Sequence, residues 1–154
     1  MSFWLLKSEP AVFGIKALAA AARRTTCWDG VRNYQARNFM RDEMRVGDRA
    51  FFYHSNCAEP GIVGIVKIVR EGYPDHTAFD PGDAHYDPQS DRARPIWYMV
   101  DVALERKLDR AITLSELKAH AAGALDGLLL LRRGNRLSVL PVSERHWRFI
   151  LALE

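Results

Sequence analysis

The segment Ile62-Val63-Gly64-Ile65-Val66-Lys67-Ile68-Val69 is apolar on nearly both of its faces and carries β-branched residues at six of its eight positions. β-Branched residues favour strands, and a strand without a polar face has to be covered on both sides. The segment therefore predicts a strand near the centre of a sheet or a barrel, and the rest of the chain has to supply its neighbours.

Four other stretches rich in Val, Ile, Phe, Trp and Tyr predict strands that can pair with the central one. They are residues 3–8, 49–55, 96–105 and 136–142. Side chains alternate cleanly between the two faces in the stretch that begins at Ile96, which puts Trp97 on the more polar face.

Helical patterns lie between and after these strands. Residues 14–24 are rich in alanine, and residues 33–44 carry an apolar face at helical spacing. Thr113 and Glu116 predict a capping box with a staple between Ile112 and Leu117, and a last helix follows Ser143 with Val142 and Trp147 at staple spacing. Together the elements predict one α+β domain over residues 1–154, built on a small, mostly antiparallel barrel.

Composition narrows the class of protein. The chain of 154 residues suits a single domain, and its net charge of +3 permits an anionic partner without requiring one. No apolar run reaches the roughly 20 residues of a membrane span, and the N-terminus lacks the pattern of a signal peptide. Cys27 and Cys57 lie far apart and lack a Cys-x-x-Cys spacing. We therefore expect a reduced, cytoplasmic protein without a zinc site.

Residues 28–39 combine three aromatic rings, two arginines and three side-chain amides within twelve positions. Rings offer a stacking surface, amides offer paired donors and acceptors, and arginines match phosphate, so the mixture suits a nucleobase and its backbone. In a helix over residues 33–44, the apolar face needs only four residues, namely Ala36, Phe39, Met40 and Met44. Spacing alone leaves the remaining polar and aromatic side chains as either a binding surface or a solvated face.

Two further polar segments admit both a functional and an ordinary interpretation. Residues 53–57 end a strand with hydrogen-bonding side chains, which fits either the mouth of a barrel or a polar turn. A catalytic pair of His54 and Cys57 lacks a third, orienting group at a recognisable spacing. Residues 132–136 place three arginines around a Gly-Asn turn, which fits either a phosphate grip or a solvated basic turn.

The long loop over residues 73–94 invites a metal hypothesis, because its segment 80–91 holds four aspartates and a histidine. The segment has no glycine at the sixth position and no terminal glutamate, which a calcium-binding loop requires. Aspartate and proline are also common turn residues, so the sequence favours turns over a metal site.

Six segments together resemble the EVE domain, a member of the PUA-like superfamily. In family order they are residues 4–10, 28–38, 53–56, 86–88, 95–100 and 134–139, and they cover nearly the whole chain. The resemblance implies a twisted β-barrel of five or six mostly antiparallel strands flanked by helices. It also implies a single aromatic pocket related to that of YTH domains, which hold a methylated adenine in RNA.

EVE domains are thought to read modified bases, chiefly methylated or hydroxymethylated cytosine in DNA. On this resemblance, seven residues are expected around the base: Ser8, Trp28, Asn33, Tyr53, His54, Ser55 and Trp97. Four more are expected near the nucleic-acid backbone: Arg37, Asn38, Arg133 and Arg136.

The sequence therefore predicts a non-enzymatic, monomeric module, without metal or cofactor, that flips a modified base into an aromatic pocket. Two alternatives stay open at this point. One is a module for a modified base in RNA, and the other is an enzyme that acts on a nucleoside or small ligand in the same pocket. Against the enzyme, the sequence offers no metal-ligand set, no nucleophile elbow and no glycine-rich phosphate loop.

Overall fold

In the computed structural model, which describes residues 1–154, six strands form one mixed sheet in the order β2-β5-β4-β3-β1-β6. Their bounds are β1 Phe3–Ser8, β2 Thr25–Cys27, β3 Arg49–His54, β4 Gly61–Pro74, β5 Tyr98–Thr113 and β6 Val139–Val142. Strands β1 and β3 pair in parallel, and the other neighbouring strands are antiparallel. The α+β class and the mostly antiparallel pairing are confirmed, and β4 lies inside the sheet as its sequence predicts.

Both faces of the sheet are buried. Alternate side chains of β1 and β3 point to opposite sides, so Leu6 and Phe52 belong to one core of 18 buried residues. Leu5 and Phe51 belong to a second core of 13 buried residues. This two-sided burial explains why these strands carry no polar face.

Five helices accompany the sheet: α1 Pro10–Phe13, α2 Ile15–Ala20, α3 Tyr34–Asn38, α4 Leu114–Lys118 and α5 Glu144–Leu153. The longest, α5, has 10 residues, and none of the helices combines the length and the apolar character that crossing a membrane demands. Helix α5 covers the second core with Trp147 and Ile150.

Both predicted helix caps on the C-terminal half of the chain are confirmed. The Ser143 hydroxyl accepts a hydrogen bond from the His146 amide at 3.1 Å, and Thr113 accepts one from the Glu116 amide at 3.1 Å. The reciprocal half of the predicted capping box is wrong, because the Glu116 carboxylate binds Arg110 through two bonds of 2.7 and 2.8 Å. A bidentate, charge-assisted pair is stronger than a single bond to a backbone amide.

The predicted helix over residues 14–24 ends early. Helix α2 stops at Ala20, and both Arg23 and Arg24 adopt left-handed backbone conformations, with φ of 56° and 49°. The chain turns there into β2, which has only three residues and is therefore too short to show an alternating pattern that would predict a strand. The helix predicted over residues 33–44 begins as expected, but it continues beyond Asn38 as a π-helical turn over Phe39–Glu43.

The loop after β4 consists mainly of turns that aspartates stabilise. Four carboxylates each accept a hydrogen bond from the backbone amide two residues further on, at 2.6 to 2.9 Å: those of Asp80, Asp83, Asp87 and Asp91. Such bonds are typical of aspartate turns. Turns were the interpretation favoured by the sequence, and these aspartates belong to no cluster able to hold a metal ion.

The strands do not close into a complete barrel. The edges of the sheet are β2 and β6, which have three and four residues and share no backbone pairing. An open seam therefore runs between β2 on one side and the β1–β6 pair on the other. The resemblance implied a barrel, and the PUA-like fold holds with this edge left open.

A buried carboxylate ties the N-terminus to the turn before β3. Asp48 is 4% exposed and accepts hydrogen bonds from the Ser2 amide at 3.0 Å, the Trp4 indole at 3.1 Å and the Arg45 amide at 3.0 Å. An Asp48→Ala variant leaves these donors without a partner. We expect it to lower the free energy of unfolding by about 2–4 kcal/mol, measured by urea denaturation.

The matched control is Asp42→Ala, which removes an exposed carboxylate that binds only its neighbour Arg41 among the side chains. This control is expected to leave the unfolding midpoint nearly unchanged. Equal unfolding curves for both variants would show that the Asp48 hydrogen bonds do not stabilise the fold.

Candidate nucleic-acid interface

A cavity of about 540 Å³ opens at the seam of the sheet. The end of β1 and helix α1 form one side of it, and the chain that leaves β2 forms the other. Its lining residues are Lys7, Ser8, Glu9, Val12, Phe13, the segment 26–31, His85 and Ser138. The cavity thus occupies the place where a closed barrel would have continued its strands.

Trp28 forms the aromatic part of the wall. Its backbone amide donates to the Val100 carbonyl at 2.7 Å, which continues the pairing of β2 with β5. Its indole meets the Phe52 ring edge-on, with centroids 5.4 Å apart and an interplanar angle of 89°. The ring is 7% exposed, so packing holds it in one position before any ligand arrives.

Polar groups of both signs lie in the same cavity. Burial lowers the pKa of the Lys7 ammonium, and burial together with the charge of Asp75 raises the pKa of the Asp29 carboxyl. The Ser8 hydroxyl donates to the Phe13 carbonyl and keeps its lone pairs as an acceptor. The cavity therefore presents an ammonium donor, a carboxylate acceptor and an aromatic wall.

The wall after Trp28 is fixed by Asp75, a fully buried carboxylate. It accepts hydrogen bonds from the Gly30 amide at 2.8 Å, from Arg32 at 3.0 Å, and from the Thr77 amide and hydroxyl at 2.9 and 2.6 Å. Burial alone would raise the pKa of Asp75, but the hydrogen bonds from Thr77, Gly30 and Arg32 outweigh it and hold the pKa below its ordinary value.

Arg32 extends this network to the loop after β4. Its guanidinium donates to the His85 carbonyl at 3.1 and 2.7 Å and to the Thr77 hydroxyl at 3.1 Å. The loop is thereby held over Gly30, which has a φ of +78°. A Cβ at this position would lie 2.7 Å from the His85 ring, so only glycine lets the imidazole form this rim of the cavity.

Trp97 supports the network from outside the cavity. Its indole nitrogen donates to Asp87 at 2.7 Å, and its ring stacks on Tyr34 with centroids 4.9 Å apart. Arg32 lies 5.3 Å from the Trp97 ring centroid and Arg37 lies 4.9 Å from that of Tyr34. The stack of two rings between two guanidinium groups includes Trp97, which the resemblance placed at the base and which does not line the cavity.

The structure separates the seven residues that the resemblance placed around a base. Only Ser8 and Trp28 line the cavity. The His54 imidazole accepts from the Ile15 amide at 3.1 Å, and the Ser55 amide donates to the Ser8 carbonyl at 2.9 Å, so both brace the end of β1 from behind. Neither residue lines the cavity, and their role at a base stays a prediction.

Tyr53 and Asn33 also lie away from the cavity. Strand alternation turns the Tyr53 ring into the second core, on the opposite face of the sheet, where burial raises its pKa to about 12. The Asn33 side chain caps helix α3 by accepting from the Ala36 amide at 3.0 Å. Capping explains why an amide stands at this point of the sequence.

The four residues expected at the nucleic-acid backbone fall into two pairs. Arg37 donates to the Ile96 carbonyl at 2.8 Å and to the Asn38 side chain at 3.0 and 2.9 Å, so these two are engaged within the protein. Arg133 and Arg136 are exposed and line a shallow depression of about 310 Å³. Arg136 lies two residues before Ser138, which lines the cavity.

Several residues of the site escaped the sequence argument. Asp29 and Gly30 lie in the resemblance segment 28–38 without an assigned role, and His85 belongs to the loop of the metal hypothesis. Lys7 was visible in a motif, but no spacing joined it to residues 20 positions away. Asp75 gave no signal, because a single aspartate after a proline is an ordinary loop feature.

Known proteins are similar to this chain in sequence and in fold over nearly its whole length. The sequence profile of the EVE domain matches residues 2–153. The chain belongs to the EVE domain family. Thymocyte nuclear protein 1 of Danio rerio is 52% identical to it over 168 aligned positions, which cover 99% of this chain and 72% of that protein. The Homo sapiens protein of the same name is 51% identical, with coverages of 99% and 74%.

Solved structures are similar to this EVE domain over nearly its whole length. A crystal structure of human THYN1 protein in complex with 5-methylcytosine containing DNA matches with a TM-score of 0.94 and 50% identity, covering 99% of this chain and 97% of that one. A crystal structure of a Pseudomonas putida protein matches with a TM-score of 0.93 and 47% identity, covering 99% of each chain. The family and the fold that the sequence motifs implied are both confirmed.

The Asp75 network gives the EVE domain a pH-dependent element of stability. An Asp75→Asn variant removes the buried charge that Arg32 faces, and we expect it to lower the free energy of unfolding by about 3 kcal/mol at neutral pH. Because the folded pKa lies below the unfolded value of about 3.9, this contribution is complete above that value and disappears as the pH falls through the folded pKa.

Urea denaturation of the wild type and of Asp75→Asn between neutral and acidic pH checks this expectation. The two unfolding free energies should differ at neutral pH and converge in acid. Asp80→Asn, an exposed turn aspartate of the same loop, serves as the control and should follow the wild type throughout. A difference that persists unchanged at the lowest pH would contradict the ionic role of Asp75.

Proposed function

We propose that this EVE domain binds DNA that contains 5-methylcytosine and holds the modified base, rotated out of the duplex, in the cavity beside Trp28. One observation carries the proposal. The cavity lies at the seam of a fold that matches, with a TM-score of 0.94, a human relative whose structure contains 5-methylcytosine DNA.

The energetics of base rotation suit the wall of the cavity. Extruding a base from a duplex costs a few kcal/mol, and stacking on an aromatic ring recovers roughly 1–3 kcal/mol per base. Trp28 is already fixed by Phe52 and by the pairing of its backbone, so little ordering of the ring accompanies binding. Phe13 and Val31 add apolar surface to the same cavity.

The polar groups of the cavity favour cytosine among the pyrimidines. Cytosine carries an exocyclic amine that donates hydrogen bonds and ring atoms N3 and O2 that accept them. The Asp29 carboxylate is suited to accept from the amine, and the Lys7 ammonium is suited to donate to an acceptor on the same edge. Thymine carries the acceptor O4 in place of this amine, so an acceptor would face the Asp29 carboxylate where cytosine presents a donor.

The methyl group contributes through contact with the wall. Burying one methyl adds about 0.8 kcal/mol, which corresponds to roughly fourfold in affinity. A larger preference needs close packing around the methyl group or, for hydroxymethylcytosine, an additional hydrogen bond. The hydroxyl of Ser8, in the wall of the cavity, is suited to such a bond.

Arg133 and Arg136 supply contacts that do not depend on the base. Both are exposed, neither forms a salt bridge, and the second stands two residues from the cavity rim. Guanidinium groups in such a position fix the nucleic acid through its phosphates and carry no sequence information. Overall affinity should therefore be modest and should fall as salt rises.

Binding is proposed to occur without turnover of the base. Burial, together with the charges of Asp29 and Asp101, raises the pKa of the Cys27 thiol, and a protonated thiol is a poor nucleophile. Incubating the protein with methylated DNA or with the free nucleoside should leave both unchanged by chromatography. A monomeric state and a cytoplasmic location stay predictions.

Titrations with matched oligonucleotides test the proposed reader. Cytosine, 5-methylcytosine, 5-hydroxymethylcytosine and methyladenine are compared as DNA and as RNA at one salt concentration. We expect DNA with 5-methylcytosine to bind several-fold more tightly than unmodified DNA, and Trp28→Ala to abolish the preference because the stacking wall is lost.

Phe149→Ala is the matched aromatic control, since Phe149 packs against the second core, on the opposite face of the sheet, and does not line the cavity. It should keep the preference for the modified base. Equal binding of the wild type to all of these oligonucleotides would sink the reader proposal, and a preference for the RNA series would move it to RNA.

Removing a phosphate contact should have a different signature. We expect Arg136→Ala to weaken methylated and unmethylated DNA by the same factor and to reduce the slope of log affinity against log salt by about 1. Arg148→Ala removes an exposed arginine on α5 that pairs with Glu144 and should change neither quantity. A loss confined to methylated DNA would place Arg136 at the base rather than at the backbone.

A further inference from the structure

Helix α1 forms an apolar protrusion beside the mouth of the cavity. None of its four residues is buried, and Pro10, Ala11 and Val12 are all exposed. Val12 is 78% exposed while also lining the cavity. Single exposed valines are common on protein surfaces, but Val12 differs from them because it also lines the cavity.

Contacts on both sides hold this protrusion in place. The Ser8 hydroxyl donates to the Phe13 carbonyl, and the Val12 and Phe13 amides donate to the Glu9 carbonyl at 2.9 and 2.8 Å. Behind the protrusion, the His54 imidazole accepts from the Ile15 amide at 3.1 Å. Ser8 and His54 thus fix the turn at its two ends.

We propose that Val12 is a wedge that enters the base stack of the duplex, in the space that the rotated base leaves. The inference rests on the proposed function, because it requires a base in the cavity. When a base occupies the cavity, its former place in the stack lies just outside the mouth, where the rim residues meet the duplex. Apolar side chains that enter a base step stabilise the unstacked duplex in this way.

The chemistry of the protrusion agrees with this role. Val12 and its neighbours Pro10 and Ala11 carry no charge, so they meet the apolar faces of stacked bases without desolvating an ion. Pro10 fixes one backbone angle, and the hydrogen bonds to the Glu9 and Phe13 carbonyls fix the turn. Insertion therefore restricts few additional rotatable bonds. Insertion also removes the exposed side chain of Val12 from water.

Comparing a duplex with a single strand tests the wedge. Wild type and Val12→Ala are titrated with a duplex that contains one 5-methylcytosine and with the methylated strand alone. A single strand has no stack to refill after rotation. We therefore expect Val12→Ala to weaken duplex binding roughly fivefold to tenfold, and single-strand binding by less than about twofold.

The matched control is Val46→Ala, since Val46 is 59% exposed and does not line the cavity. It should leave both substrates unaffected, and thermal unfolding should show that all three proteins are folded. A second readout places 2-aminopurine next to the methylated base, where fluorescence reports unstacking. Val12→Ala should change the fluorescence of the bound duplex relative to wild type, and Val46→Ala should not.

Two results would overturn the wedge. Equal losses on duplex and single strand would make Val12 part of the base-binding wall, and an unchanged duplex affinity would leave Val12 without a role. Failure of the proposed function shows differently, as wild-type protein that binds methylated and unmethylated duplexes alike. In that case the duplex-to-strand comparison for Val12→Ala still decides whether the side chain enters the stack.

Discussion

The burial of β1 and β3 on both faces is the constraint from which the rest of the structure follows. Successive side chains of these strands, such as Leu5 and Leu6, enter two different cores, so the chain has to supply cover above and below one sheet. Helix α5 and its Trp147 cover one side, and the segments after β2 cover the other. The strands that remain for the edges are too short to meet, and the seam between them becomes the cavity.

The position of the cavity wall depends on one buried carboxylate that does not itself line the cavity. Asp75 joins the wall that follows Trp28 to the loop that carries His85, and Arg32 completes the connection. The stacked rings of Trp97 and Tyr34 stiffen this connection from outside. Most aromatic and arginine side chains near the site thus hold its wall, and among them only Trp28 and Phe13 line the cavity.

The fold was more predictable than the site, for a physical reason. A strand such as residues 62–69 is predictable because burial on both faces requires apolar residues along its whole length. A cap such as Ser143 is predictable because it binds an amide only three residues further along the chain. The wall of the site depends on hydrogen bonds between residues 43 to 53 positions apart, such as those of Asp75 with Gly30 and of Arg32 with His85, and local spacing does not predict such contacts. Motif resemblance grouped Ser8 and Trp28, which line the cavity, with His54, which contacts the Ile15 amide, and with Tyr53, which alternation turns into the second core.

The open seam leaves part of the cavity wall outside both cores. No ladder of backbone hydrogen bonds crosses between β2 and β6. Trp28 and Val31 belong to the first core, but Glu9, Val12 and Asp29 are exposed at the cavity and belong to neither core. A domain built in this way is free to acquire new base preferences by exchanging these exposed wall residues, at little cost to the folded state and without redesign of the sheet.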